Sequence, residues 1–180
     1  MTPHVSAFAL LPNLLSLARL LVSPYIFKLI VDREYAAVLI WFAFAGFSDF
    51  LDGWIARRFH ASSPLGAILD PVADKVLQSG SFVALAVAGA IPWWLASIVL
   101  GRDLLILGFA AMELARGRKR DLSPSLWGKW STVAQIVFVL VVVAGNAGLS
   151  ALGWITPMQW ITVGLTAWSG LDYSRRAFTQ

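Results

Sequence analysis

The 180-residue sequence contains no cysteine and only two histidines. That excludes disulfides, thiolate metal sites and a cysteine nucleophile. Charge is scarce as well: Asp, Glu, Lys and Arg make up 13% of the chain, against about 25% in an ordinary soluble domain. A disordered chain and a typical globular one are both ruled out by this deficit. Residues 1–12 hold one basic side chain, His4, and lack the basic region and small-residue cleavage site of a secretory signal. Met1 to Leu11 is therefore expected to form a short helix at a membrane surface. No internal repeat or low-complexity linker is visible.

What the chain does have is apolar length. Hydrophobic residues make up 58% of it, and its mean hydropathy is +0.73. A spanning helix needs roughly 20 apolar residues, so the chain has room for about six and for no separate soluble domain. Spans are expected from about Asn13 to Val31, Tyr35 to Arg58, Pro64 to Ala88, Trp93 to Arg116, a fifth beginning near Pro124, and Trp154 to Tyr173. The fold class expected is all-α: one integral membrane bundle of six transmembrane helices covering residues 1–180.

Loop charges orient it. Arg57 and Arg58 follow span two, Arg116, Arg118, Lys119 and Arg120 follow span four, and Arg175 and Arg176 follow span six. The turns after spans three and five contain neither Lys nor Arg, and only Arg33, flanked by Asp32 and Glu34, breaks the alternation. Under the positive-inside rule both termini are cytoplasmic. The net charge of +4 is then read as topology and contact with lipid headgroups, with no nucleic-acid partner. Trp93, Trp94, Trp154 and Trp160, near span ends, suit an interfacial aromatic belt.

The informative residues are charges inside the spans: Arg19, Asp49, Asp52, Asp70, Asp74, Arg102, Asp103 and Lys129. Each costs about 2.5–3.5 kcal/mol at the bilayer centre, so they must face one another, a metal or a water-filled cavity. Asp49 and Asp52 are spaced i,i+3, and Asp70 and Asp74 i,i+4, so each pair shares a helix face. The short connection between these two helices predicts that they pack as neighbours, with the carboxylate pairs facing across the seam. Like charges so placed call for a divalent cation. Oxygen-only donors favour Mg²⁺ or Mn²⁺, with structural calcium the weaker alternative. Gly53 opens room for a ligand near the backbone, Arg57 offers a fork of donors for phosphate, and Gly66 stands at the start of the next helix. Tight helix packing is the alternative for either glycine. A second phosphate-bearing ligand would need cations, and Arg102 and Lys129 are the candidates. Arg102 has the alternative of pairing with Asp103 or Glu113.

Asp49-x-x-Asp52-Gly53-x-x-Ala56-Arg57, eight further residues, Gly66, three residues, Asp70, three residues and Asp74 form one continuous pattern. It resembles the signature of the CDP-alcohol phosphatidyltransferase family, D-x-x-D-G-x-x-A-R-x8-G-x3-D-x3-D, and departs from it at no defined position. The resemblance implies transfer of a phosphatidyl group from CDP-diacylglycerol to an alcohol, with release of CMP. It implies that Asp49, Asp52 and Asp70 hold two Mg²⁺ or Mn²⁺ ions, with Asp49 and Asp52 also counted among the CDP contacts. Gly53, Arg57 and Gly66 would contact the cytidine nucleotide, and Asp74 would be the catalytic base. A homodimer in the bacterial cytoplasmic membrane, its active site facing the cytoplasm, follows from the same likeness. Pro12-Asn13-Leu14-Leu15-Ser16, Arg19, Pro24, Asp70-Pro71-Val72-Ala73-Asp74-Lys75 and Gly128-Lys129 with Thr132 and Gln135 resemble the phosphatidylglycerophosphate synthase branch, whose acceptor is glycerol 3-phosphate. Arg102-Asp103 leans toward the cardiolipin synthase branch, which uses phosphatidylglycerol. From another class, a divalent-cation transporter would explain the four aspartates but not the spacing of Gly53, Arg57 and Gly66.

Overall fold

Runs of Leu, Ala, Val and Ile without interior turn signals form helices, and the turn residues between them close each helix where they fall. A computed structural model describes residues 7–59, 66–115 and 126–179, with side chains described for 14–48, 69, 71–109 and 126–175. Six helices account for nearly all of them: α1 (Ala7–Val31), α2 (Tyr35–Phe59), α3 (Gly66–Val87), α4 (Trp93–Ala115), α5 (Leu126–Asn146) and α6 (Leu152–Thr179). No strand occurs among the described residues. The basic loop from Gly117 to Asp121, Pro124, His60 and Ser62 lie outside them.

Five of the six helix starts and ends follow the expected spans closely, and two boundaries differ. Residues Ala7 to Leu11 continue directly into α1 and do not end as a separate surface helix. They are good helix formers, and Pro12 removes one backbone donor near the helix start without stopping it. At the other end, α6 runs through Arg175 and Arg176 to Thr179, because arginine is itself a good helix former and no breaker intervenes. Among the described residues, two helical stretches are long and apolar enough to cross a membrane, Leu14–Val31 and Leu126–Asn146.

The helices group into two compact units, Met1–Ala88 and Gly89–Gln180. In the first, α1 packs on both α3 and α2. Ser16, Arg19, Ser23, Ile26 and Ile30 are its buried positions, a stripe at spacings of three and four. Phe82, Leu85 and Val38 complete this core with no exposed surface. Gly80 lets the helices meet closely, since a Cβ there would overlap the ring of Phe27. Among the described residues α1 is the shared neighbour of α2 and α3, and the expected direct seam between α2 and α3 is not found there. The nearer ends of those two helices carry the side chains outside the described set.

The turn between α1 and α2 accounts for the odd arginine. Arg33 adopts a left-handed conformation, φ 62°. Its N–H bonds the carbonyl of Ile30 at 3.1 Å and that of Glu34 bonds Leu29 at 2.9 Å, which is a Schellman closure of α1. Its guanidinium donates to the carbonyl of Ala88 at 3.1 Å, beside the end of α3. Arg33 is thus an internal clasp, and its exception to the loop-charge pattern has a local cause. In the second unit α6 packs on both α5 and α4. Gly148, φ 88°, closes α5 by the same device, with Gly148 bonding Gly145 and Leu149 bonding Ala144.

Candidate active site

All seven motif positions singled out for chemistry lie on α2 and α3. The backbone is helical through Asp49, Asp52, Gly53 and Arg57 on α2 and through Gly66, Asp70 and Asp74 on α3. Each carboxylate pair therefore keeps the register that puts it on one face. Pro71, between Asp70 and Asp74, does not interrupt α3. The side chains of Asp49, Asp52, Arg57 and Asp70, and the surroundings of Gly53 and Gly66, lie outside the described residues.

Asp74 is described, and its setting is specific. Its carboxylate forms an ion pair with the guanidinium of Arg19, which α1 supplies. The arginine side chain is 3% exposed and the aspartate 52%. One partner is enclosed and the other opens outward. The carbonyl of Arg19 itself accepts a hydrogen bond from Ser23 Oγ at 2.8 Å, one turn further along α1. The sequence marked Arg19 as a charge in need of a partner without finding it. Its signal was available: Ser16, Arg19 and Ser23 are polar positions at helical spacing in an otherwise apolar helix.

Arg102 and Lys129 have different surroundings. Arg102 is 7% exposed. It donates to Asp103 at 2.9 Å, to Ser169 Oγ at 3.0 Å and to the carbonyl of Gly128 at 3.4 Å. It thus ties α4 to α5 and α6, and the pairing with Asp103 that the sequence allowed is formed. Glu113 lies outside the described side chains. Lys129 is exposed. Below Arg102, Ser131 and Thr166 share a hydrogen bond of 3.2 Å, and Gln135 donates to Thr166 at 3.0 Å. Thr162 continues the series, donating to the carbonyl of Ala134 at 3.3 Å. All four side chains are fully buried. The sequence reading missed this ladder, although Thr162, Thr166 and Ser169 follow helical spacing.

Trp93, Trp94, Trp154 and Trp160 are all exposed, and the Trp94 and Trp160 rings lie 6.0 Å apart. Trp127 and Trp168 form a second pair, edge to face at 6.1 Å, at the start of α5 and towards the end of α6.

No cluster of three or more metal-binding side chains occurs among the described residues. The donor chemistry nonetheless fits a hard cation. Both helices run unbroken through four carboxylates, and no soft ligand falls between them.

Comparison with known proteins identifies the family. Residues 9–168 match the family described as CDP-alcohol phosphatidyltransferase, a match running across the helices of both units. A CDP-diacylglycerol–glycerol-3-phosphate 3-phosphatidyltransferase of Pseudomonas fluorescens is 34% identical over 93% of the chain and 90% of its own length. A probable phosphatidylglycerophosphate synthase of Mycobacterium tuberculosis is 32% identical over 93% of the chain and 81% of its own. A cardiolipin synthase (CMP-forming)/mitochondrial hydrolase fusion protein of Schizosaccharomyces pombe is 33% identical over 93% of the chain, which spans only 31% of the fusion's length. With a family match over most of its length, the chain belongs to the CDP-alcohol phosphatidyltransferases, an enzyme family of phospholipid synthesis.

Proposed function

We propose that the protein transfers a phosphatidyl group from CDP-diacylglycerol to glycerol 3-phosphate, releasing CMP. The observation that carries this reading is the complete motif on two unbroken helices, ending in a carboxylate that is half open beside a buried arginine. The acceptor choice draws on the Pseudomonas and Mycobacterium relatives, which the chain covers almost from end to end. Phosphatidylglycerol is the second reading. Arg102-Asp103 and the Schizosaccharomyces relative, identical to a similar extent, favour it.

In this mechanism Asp49, Asp52 and Asp70 would hold two Mg²⁺ or Mn²⁺ ions, which when bound would supply positive charge against the donor diphosphate and the departing CMP. Gly53 and Gly66 let the nucleotide approach the helix backbones, and Arg57 donates to its phosphate. Asp74 takes the proton of the acceptor hydroxyl. That oxygen bonds to the phosphorus bearing diacylglycerol as the bond from the phosphorus to CMP breaks. Lys129 is the cation assigned to the acceptor phosphate. Arg102 is assigned the structural tie described above, in place of the acceptor contact expected from sequence.

The chain is read as a single phosphatidyltransferase domain of six spans, both termini and the site on the cytoplasmic side of a bacterial membrane. Exposed side chains such as Leu21, Leu104, Leu107 and Trp154, each more than 60% accessible, support a lipid surround, since soluble monomers rarely expose large apolar patches. Cysteines placed singly at Ser62 and Gly148 should then label from opposite sides of the membrane, and labelling from the same side refutes that topology. The reaction is tested by offering CDP-diacylglycerol with glycerol 3-phosphate, phosphatidylglycerol, inositol phosphate or serine separately. Phosphatidylglycerophosphate is the expected product. Cardiolipin formed from phosphatidylglycerol alone would establish the second reading, and cation flux without CMP release a transporter.

A further inference from the structure

We propose that Arg19 is the positioning residue for Asp74: it acts on the reaction by fixing the direction of the base, and touches neither donor nor acceptor. The inference rests on the reading of Asp74 as base. Three observations carry it. The guanidinium is enclosed, with its side chain only 3% exposed, so it is not laid out to receive a ligand, while its carboxylate partner is 52% exposed. The two come from different helices, 55 residues apart, so the pair sets the register of α1 against α3 as well as a side-chain rotamer. Finally, Arg19 lies within the buried stripe of α1, between Ser16 and Ser23, and Ser23 bonds its carbonyl. The backbone that carries the arginine is therefore itself constrained.

The physical need is plain. An aspartate with half its surface open has several staggered orientations available, and only one points its oxygen at an incoming hydroxyl. A guanidinium has a planar fork of donors in fixed geometry, so it selects orientation in a way that an ammonium does not. The buried end supplies rigidity and the open end supplies access. An ion pair whose work was only to join α1 to α3 would gain nothing from leaving the carboxylate half open, and the Arg102–Asp103 pair, 7% and 12% exposed, is closed on both sides.

The test is a double-mutant cycle on CMP release from CDP-diacylglycerol with glycerol 3-phosphate and Mg²⁺, with unfolding in detergent followed in parallel. Arg19→Met should lower kcat by about 10²-fold, the scale of a small misplacement of a reacting group, with the KM for CDP-diacylglycerol near the parent's. Arg19→Lys should recover part of the loss. Arg19→Met combined with Asp74→Asn should be no slower than Asp74→Asn alone, because a residue acting through the base has nothing left to position. If Arg19→Met does not fold, the same cycle is run with Arg19→Lys. Losses that multiply, with Asp74→Asn itself strongly slowed but measurable, would overturn the positioning role while leaving the base in place. A raised donor KM at unchanged kcat would make Arg19 a binding residue and overturn it too. Parent-level kcat in Asp74→Asn would remove the base reading, and this inference with it.

Discussion

In the first three helices an arginine 3% exposed holds an aspartate 52% exposed, whereas in the last three Arg102 and Asp103 enclose each other at 7% and 12%. The surroundings differ in the same sense. Besides Asp103, Arg102 bonds neutral acceptors, Ser169 Oγ and the carbonyl of Gly128, and on the same helices Ser131 and Gln135 of α5 bond Thr166 of α6, all buried. On α2 and α3, the two helices that α1 packs against, the sequence carries three further aspartates of the motif. A buried polar network whose members satisfy one another specifies packing. A charge held at one end and open at the other suits the role of base proposed for Asp74. The same residue types, an arginine and an aspartate on apolar helices, thus serve two ends, and exposure distinguishes them.

Substitutions can break this contrast. The largest effect is expected from Asp74→Asn, which keeps the shape of the side chain but cannot accept the proton. Turnover should fall by roughly 10²–10⁴-fold, the typical contribution of a general base. Thermal unfolding and donor affinity should stay close to the parent's. In the second unit the order reverses. Asp103→Ala leaves the enclosed guanidinium without its carboxylate, and breaking a buried pair from one side costs about 3–5 kcal/mol. The loss should appear in denaturant unfolding, with the KM for CDP-diacylglycerol unaltered in the protein that remains folded.

Smaller effects sharpen the comparison at the packing level. Gly80→Leu forces a side chain into the ring of Phe27, and overpacking of this kind costs typically 1–3 kcal/mol. Phe27→Ala added to it should restore part of that stability, a coupling that two independent sites would not show. Thr166→Val removes the hydroxyl that Ser131 and Gln135 both use. Each buried group left unsatisfied costs about 1–3 kcal/mol, partly offset by the added methyl. Stability should fall and kcat should not.

Helix number and placement were legible because charged clusters and turn residues punctuate the apolar runs. Asp32-Arg33-Glu34 and Gly89-Ala90-Ile91-Pro92 mark ends that the structure places within a residue or two. The break expected between Leu11 and Asn13 does not occur, and Pro12 lies within α1. The motif was legible as spacing alone, down to each aspartate. Partners were not. A helix that is apolar on every side carries little periodic information about which face meets which neighbour. Arg19 could therefore be recognised as anomalous without being matched to Asp74. For the same reason Arg102 stood between an acceptor and an internal partner until its bonds to Asp103, Ser169 and Gly128 were seen. Small polar residues at spacings of three and four were the overlooked signal, in Ser16-Arg19-Ser23 and again in Thr162-Thr166-Ser169.

The most direct test follows CMP release by the purified protein in vesicles containing CDP-diacylglycerol, with glycerol 3-phosphate supplied. Excess chelator should abolish release, and Mg²⁺ or Mn²⁺ should restore it, because the proposed site would gather four carboxylates and a diphosphate, which need a divalent cation between them. Undiminished release in excess chelator, or no CMP with any alcohol offered in the presence of metal, would contradict the account.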